Sequence, residues 1–254
     1  MTPVKKYLSL FQLIFIIIQV SVIAQDSTSF KDKIVHYQTH GNFSAVDVIE
    51  NYLDAIGGRI EFEKIKDRTT KMHGTLAGKE LTVVIKQKVP NKLRQDIQSG
   101  QLIQTTIYDG SKGISIVGDQ RFNVEGDQLD KLKIEAQMNF ILNPEAYGIS
   151  TELLEEESVD STECYNIEFK SSAEEKWHQY YSKNSGLKIK ETRELKTEDG
   201  VILQETKFSN YQEVGGLKFP FSLKQSVGIQ TMEMIIDSIA INTGLVDSLF
   251  VIPE

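Results

Sequence analysis

The chain has 254 residues, of which 40% are hydrophobic, 25% charged and 9% aromatic. This is globular composition with enough apolar material for a sizeable core, and it excludes disorder, collagen and a whole-chain coiled coil. The count of 28 Lys+Arg against 36 Asp+Glu gives a net charge of −8, so no basic face is expected to bind nucleic acid. The single Cys rules out an intrachain disulfide framework.

Residues 1–24 carry Lys5 and Lys6, then an apolar run from Leu8 to Val20, then Val22 and Ala24 as small-residue marks before Gln25. This pattern predicts a secretory signal peptide cleaved after Ala24. The alternative is an uncleaved anchor, but the run is short for a span of about 20 residues. Export with one cysteine fits a bacterial periplasm better than the disulfide-dense secreted class. Residues 25–44 form a polar leader, and residues 45–254 read as one domain.

Ser44 with Asp47 forms a capping-box pattern ahead of Val46, Ile49, Tyr52, Leu53 and Ile56 at helical spacing, so a helix is expected up to the stop Gly57-Gly58. A short helix from Arg59 to Ile65 follows. From Asp67 the period becomes two. Leu81, Val83 and Ile85 alternate with their neighbours, as do Leu93, Gln95 and Ile97, and turns fall at Val89-Pro90-Asn91, Ser99-Gly100, Asp109-Gly110 and Gly118-Asp119. These predict an antiparallel meander. The pattern switches once, over Asp127–Leu142, where Leu129, Leu132, Ala136 and Phe140 share a helical face and Ile134, Met138 and Ile141 widen it. Strands then resume to Ile241, and Val246–Phe250 reads as a helical turn or docking segment. About eleven strands without strand–helix alternation give a mainly β (α+β) class, not a parallel sheet.

No catalytic signature stands out. His36 and His40 are four apart, but no Glu lies between them; His73 and His178 are isolated in strands. Cys164 has no neighbouring cation to activate it, and the run Glu155-Glu156-Glu157 reads as a solvated edge. Neither a G-x-S-x-G elbow nor a phosphate loop occurs. No enzyme activity, catalytic residue, metal or cofactor is expected. What remains is apolar surface: Trp177, Tyr180, Tyr181, Phe208, Phe219, Phe221, Met232 and Met234 on strands, with Met138 and Phe140 on the inserted helix. A many-stranded sheet that curls has one concave face, which side chains either fill or leave open for an apolar ligand.

The stretch Val48–Gly58 with Phe62 and Ile65 resembles the start of the outer-membrane lipoprotein-sorting (LolA-like) superfamily. So, in order, do Lys88–Lys92, Tyr108–Gly113, Tyr181 with Gly186–Lys188, and Phe208–Pro220. The branch most similar is the one found in Bacteroidetes, also seen as a C-terminal module after insulinase-type peptidases. The resemblance spans about residues 45–250. It implies an unclosed antiparallel β-barrel of the LolA/LppX type with a helical lid, in a periplasmic carrier of lipoprotein or lipid acyl chains, with envelope membrane proteins as donor or acceptor. A monomer is expected. The family's lid-latching arginine has no matching motif here; Arg94 is a strand candidate whose role is not transferred. The peptidase motif His-x-x-Glu-His is absent from the chain, so no protease activity follows. Expected cavity positions are Leu81, Val83, Ile85, Ile97, Ile107, Ile116, Met138, Phe140, Ile167, Phe219 and Phe221; a one-residue error would invert any strand. At about 0.8 kcal/mol per methylene, roughly 14–16 buried methylenes supply on the order of 10 kcal/mol without any polar motif. The alternative is a non-catalytic envelope interaction module with a filled β core.

Overall fold

The computed structural model describes residues 43–76, 78–197 and 200–253. The signal-peptide reading, His36 and His40, and the leader as far as residue 42 lie outside the described residues.

The first helix, α1 (Ala45–Ala55), starts at the expected capping box: the Ser44 amide donates to Asp47 Oδ2 at 2.7 Å, and the Asp47 amide donates to Ser44 Oγ at 3.4 Å. Its buried stripe is Ala45, Val48, Ile49 and Leu53. Val46, expected inward, is exposed. The chain then turns through Gly57 and Gly58, both at positive φ (124° and 101°), into the short α2 (Arg59–Glu63). The Lys218 amide donates to the Ile56 carbonyl at 2.7 Å, tying this turn to the sheet.

One sheet contains fourteen strands. In chain order they are β1 (Asp67–Leu76), β2 (Lys79–Lys88), β3 (Lys92–Ser99), β4 (Leu102–Tyr108), β5 (Gly113–Val117), β6 (Gln120–Val124), β7 (Ile149–Leu153), β8 (Glu157–Val159), β9 (Thr162–Ser171), β10 (Lys176–Ser182), β11 (Lys188–Thr197), β12 (Gly200–Val214), β13 (Leu217–Val227) and β14 (Gln230–Ile241). The count exceeds eleven because Asp67–Lys88 is a hairpin and because Glu152–Val159 breaks into β7 and β8. Both strands of that second pair lie against β9. All pairings are antiparallel. The meander β1–β6 joins the meander β7–β14 through β1 and β14, giving the order β6-β5-β4-β3-β2-β1-β14-β13-β12-β11-β10-β9-β7. β6 and β7 stay unpaired with each other at the two ends, so the barrel is unclosed.

Between those two edges lies α3 (Gly126–Ala136), shorter than the helix expected over Asp127–Leu142. Gln137 leaves helical geometry at ψ 75°, and two 3₁₀ turns, Phe140–Leu142 and Pro144–Tyr147, complete the crossing. Beyond β14 the chain is pinned by Asp67, whose carboxylate accepts from the Thr243, Gly244 and Leu245 amides at 2.8–3.3 Å. Burial would raise the Asp67 carboxyl pKa; these hydrogen bonds outweigh it and hold it below the usual range. The last 3₁₀ turn, Asp247–Phe250, then packs beside β3.

A Cβ on Gly57 would collide with the Gly216 carbonyl oxygen, and its φ disfavours any L side chain. Gly57→Ala is expected to cost about 2–3 kcal/mol; denaturant unfolding reads this as a lower midpoint with an unchanged slope.

Candidate functional site

The two halves of the concave face are covered differently. Over β7–β10 it is solid. Ile149, Ile167, Phe169, Trp177 and Tyr181 pack against Val48, Ile49, Leu53 and Ile56 of the first helical turn region, and against Ile134, Met138 and Ile141 of the crossing segment. Phe169 stacks on Trp177 at 5.3 Å, and Phe140 meets both rings edge-on at 6.1 Å. Over β3–β6 the cover is α3, whose Leu132 and Ala136 pack with Leu93, Tyr108 and Val124.

Between these two covered regions the face is hollow. A partly open cavity of about 380 Å³ is bounded by β1–β3 on one side and β12–β14 on the other, with Glu135 of α3 at its rim. Its apolar wall includes Met72, Val83, Ile85, Leu223, Met232 and Ile236. The volume lies within the range of about 300–1,000 Å³ usual for ligand pockets. A smaller recess of about 140 Å³ adjoins it, sharing Glu135, Thr206 and Gln225 and lined otherwise mostly by charged and polar groups.

Of the expected cavity positions, Val83, Ile85 and Phe219 line this space. Leu81 and Ile97 are buried in the adjoining cluster with Met232 and Met234, and Phe221 is half-buried between that cluster and the solid one. Met138, Phe140 and Ile167 belong to the solid half. Ile107 and Ile116 require a correction. Ile107 is registered opposite Arg94 and Ile114, and Ile116 opposite Thr105, so both point to the outer face. In β4 the concave positions are Gln104 and Thr106, which are polar and buried. The tail supplies apolar cover outside instead: Phe250 is buried, Lys88 and Lys92 pair with Asp247, and Arg94 Nη1 donates to the Leu249 carbonyl at 3.4 Å. Arg94 also pairs with Asp96 on that outer face, so it takes no part in the cavity.

Apolar scanning missed the polar residues on the concave side. The alternation Leu81, Val83, Ile85 continues in phase to Gln87, whose inward position could have been read from that phase alone. Gln87 Nε2 donates to the Glu135 carbonyl at 2.7 Å, one of the last carbonyls of α3, which have no partner within the helix. Lys131 of α3 pairs with Glu175 at 3.3 Å, both well covered. These two contacts tie the crossing helix to opposite sides of the sheet.

Deeper along the concave face, Glu191 accepts from Lys188, Arg193 and Gln179 at 2.9–3.1 Å. Burial would push its carboxyl up, but the two cations and their hydrogen bonds pull it to about 2. Gln179 Oε1 accepts from the Tyr181 hydroxyl, and Arg193 lies 5.2 Å over the Trp177 ring. Among the described residues no cluster of three His, Cys, Asp or Glu could hold a metal. Nor, among the described residues, is any helix long and apolar enough to cross a membrane. His73 pairs with Asp237 and His178 with Asn166, and Cys164 is buried with its thiol pKa raised by burial.

The sequence matches no protein-family model and no curated protein. Solved structures do match. A LolA superfamily protein from Nitrosomonas europaea superposes with a TM-score of 0.57 at 12% identity, covering 81% of this chain and 97% of the other. A DUF1329 family protein from Desulfovibrio piger gives 0.54 at 12% identity over 80% and 95%. An outer membrane lipoprotein-sorting protein domain from Vibrio parahaemolyticus gives 0.52 at 10% identity over 81% and 95%. The fold is LolA-like. At this identity the likeness speaks for the fold alone.

Because Glu191 is held below its unfolded value of 4.5, the stability it contributes is complete above about pH 4.5 and disappears as pH falls towards 2. Glu191→Gln is expected to lose on the order of 3 kcal/mol at neutral pH. It should also flatten the acid decline between pH 4.5 and 2 in thermal melts.

Proposed function

We propose that this protein is an exported carrier that holds the acyl chains of a lipid or lipoprotein in the cavity between β1–β3 and β12–β14, under α3. The observation that carries this reading is the hollow itself: an apolar wall left unfilled in a face whose other half is solidly packed. The LolA-like fold supports it, and the signal-peptide pattern before Gln25 supports a periplasmic location with residues 45–254 acting as one domain. A hydrocarbon needs only removal from water, at about 25 cal/mol per Å² of apolar surface, so the site requires no catalytic group. The α3 segment acts as the lid, moving to admit cargo delivered by an envelope membrane protein and withdrawn by another. The protein works as a monomer, without metal or cofactor.

The interaction-module alternative calls for a filled face. The solid half over β7–β10 resembles that picture, but the cavity half does not, and the carrier reading accounts for both.

Delipidated protein is expected to take up a fluorescent fatty-acid probe. Ile85 and Leu223 line the cavity and are only half-buried, so Trp at both fills the space with limited strain. Ile85→Trp/Leu223→Trp should weaken uptake at least about tenfold while the melting temperature changes little; unchanged uptake would place the probe elsewhere. Separately, Gln87→Leu removes the tie to the α3 carbonyl. Hydrogen exchange of the α3 amides should then quicken about tenfold, for the roughly 1–1.5 kcal/mol of one hydrogen bond, with β9–β12 unaffected.

A further inference from the structure

One cation in the cavity wall stands apart. Arg59 pairs with Glu50, Arg94 with Asp96 and Arg193 with Glu191. Arg68, on the concave side of β1, has no carboxylate within ion-pair distance among the described residues. Its Nε and Nη2 both donate to Gln87 Oε1, at 3.2 and 2.5 Å, and its guanidinium lies 5.8 Å from the Phe219 ring centre. Gln87 occupies two of the five N–H donors of the guanidinium, leaving three for another partner. The phenol acting on Arg68 is Tyr52, which burial keeps protonated, its pKa pushed up to about 12.

The other ionisable group in the same wall does not balance this charge. Among the described residues Glu135 makes no ion pair within 4 Å, and Tyr52, not Glu135, is the group whose charge acts on Arg68; burial raises the Glu135 carboxyl pKa while Arg193 and Lys131 lower it. Lys131, Arg193 and Glu191 line the smaller recess with it, and the charge of Glu175 also acts on it. The remaining polar lining consists of neutral groups: Thr70, Gln87, Gln95, Thr206 and Gln225. A chain with net charge −8 therefore keeps, in the wall of a mostly apolar cavity, a cation that no described carboxylate pairs. An isolated guanidinium there is costly unless an anion meets it, and guanidinium forks match carboxylate and phosphate oxygens.

We infer that the cavity selects amphiphiles with an anionic headgroup, carboxylate or phosphate, placed against Arg68 while the hydrocarbon lies along Val83, Ile85, Met232 and Ile236. This rests on the carrier reading and narrows its cargo. The Gln87 side chain then serves two masters: its oxygen orients Arg68 and its amide nitrogen holds α3. The headgroup site and the lid thus share one residue.

The test uses the full exported chain, delipidated, at about pH 7, with four competitors for one fluorescent probe: hexadecanoic acid, hexadecyl phosphate, methyl hexadecanoate and hexadecanol. The two anions are expected to bind at least about tenfold tighter than the two neutral chains. Arg68→Gln should erase that difference while leaving the neutral chains within about twofold, and Arg68→Lys should keep part of it. Retained neutral binding shows that the variants fold. Preference for the acid over the phosphate points to free fatty acids, and the reverse order points to phospholipid-type headgroups. Equal binding of charged and neutral chains to the wild type, or a preference that survives Arg68→Gln, overturns the inference while the carrier reading stands. If none of the four binds the wild type, both fall together.

Discussion

The structure depends on a mismatch between the width of the sheet and the helices available to cover it. Thirteen strands run side by side, and at about 4.8 Å apart they span roughly 60 Å. A helix with its side chains is about 10–12 Å across. Three short helices and two 3₁₀ turns therefore cover about half of that breadth even when every one lies on the concave side. Tight coverage of both ends leaves a strip in the middle, where β1 meets β14, that only Glu135 near the end of α3 reaches. The cavity follows from geometry before any question of cargo arises.

Topology decides where the crossing helix lies. β6 and β7 are the two free edges, yet they are consecutive in sequence. The chain between them has to travel from one rim of the curled sheet to the other, and α3 with its 3₁₀ turns is that path. Its apolar positions divide accordingly: Leu132 and Ala136 face the β3–β6 side, whereas Ile134, Met138 and Ile141 face the solid half. A segment required to bridge two packed regions, held in part by Gln87 and by Lys131–Glu175, is suited to partial release without disturbing the strands on either side.

Much of this was legible in the chain. The Ser44–Asp47 box, the glycine stop, the hairpin turns and the single interruption by a helix all rest on local chemistry, and local chemistry is visible in one dimension. The phase of β2 was also legible, since Leu81, Val83 and Ile85 have polar or charged neighbours on most sides. The phase of β4 was not. Ile103 and Ile107 look inward by their nature, but Gln104 and Thr106 are the concave residues. On the outer side Ile107 is buried and Ile103 exposed, and the tail that packs beside β3 there arrives from about 140 residues later, so no periodicity within β4 carries that information. The helix end at Ala136 was lost for a similar reason: apolar spacing persists through Ile141 because the crossing segment stays buried, although its backbone is no longer α-helical.

The hollow must also be reconciled with marginal stability. At about 24 cal/mol per Å³, a sealed dry void of 380 Å³ would cost roughly 9 kcal/mol, comparable with the whole 5–15 kcal/mol of a typical domain. A fold cannot readily carry that penalty. Two features of the site reduce it. The cavity is partly open, and Arg68, Thr70, Gln87 and Gln95 give entering water hydrogen-bonding partners on one wall. Water satisfies those groups but gains nothing from Met72, Val83, Ile85 or Ile236. The proposed amphiphile would satisfy both kinds of lining at once, its polar end replacing water at the donors and its chain covering the aliphatic side. The mixed lining thus lowers the cost of the empty cavity while leaving its apolar half unsatisfied by water.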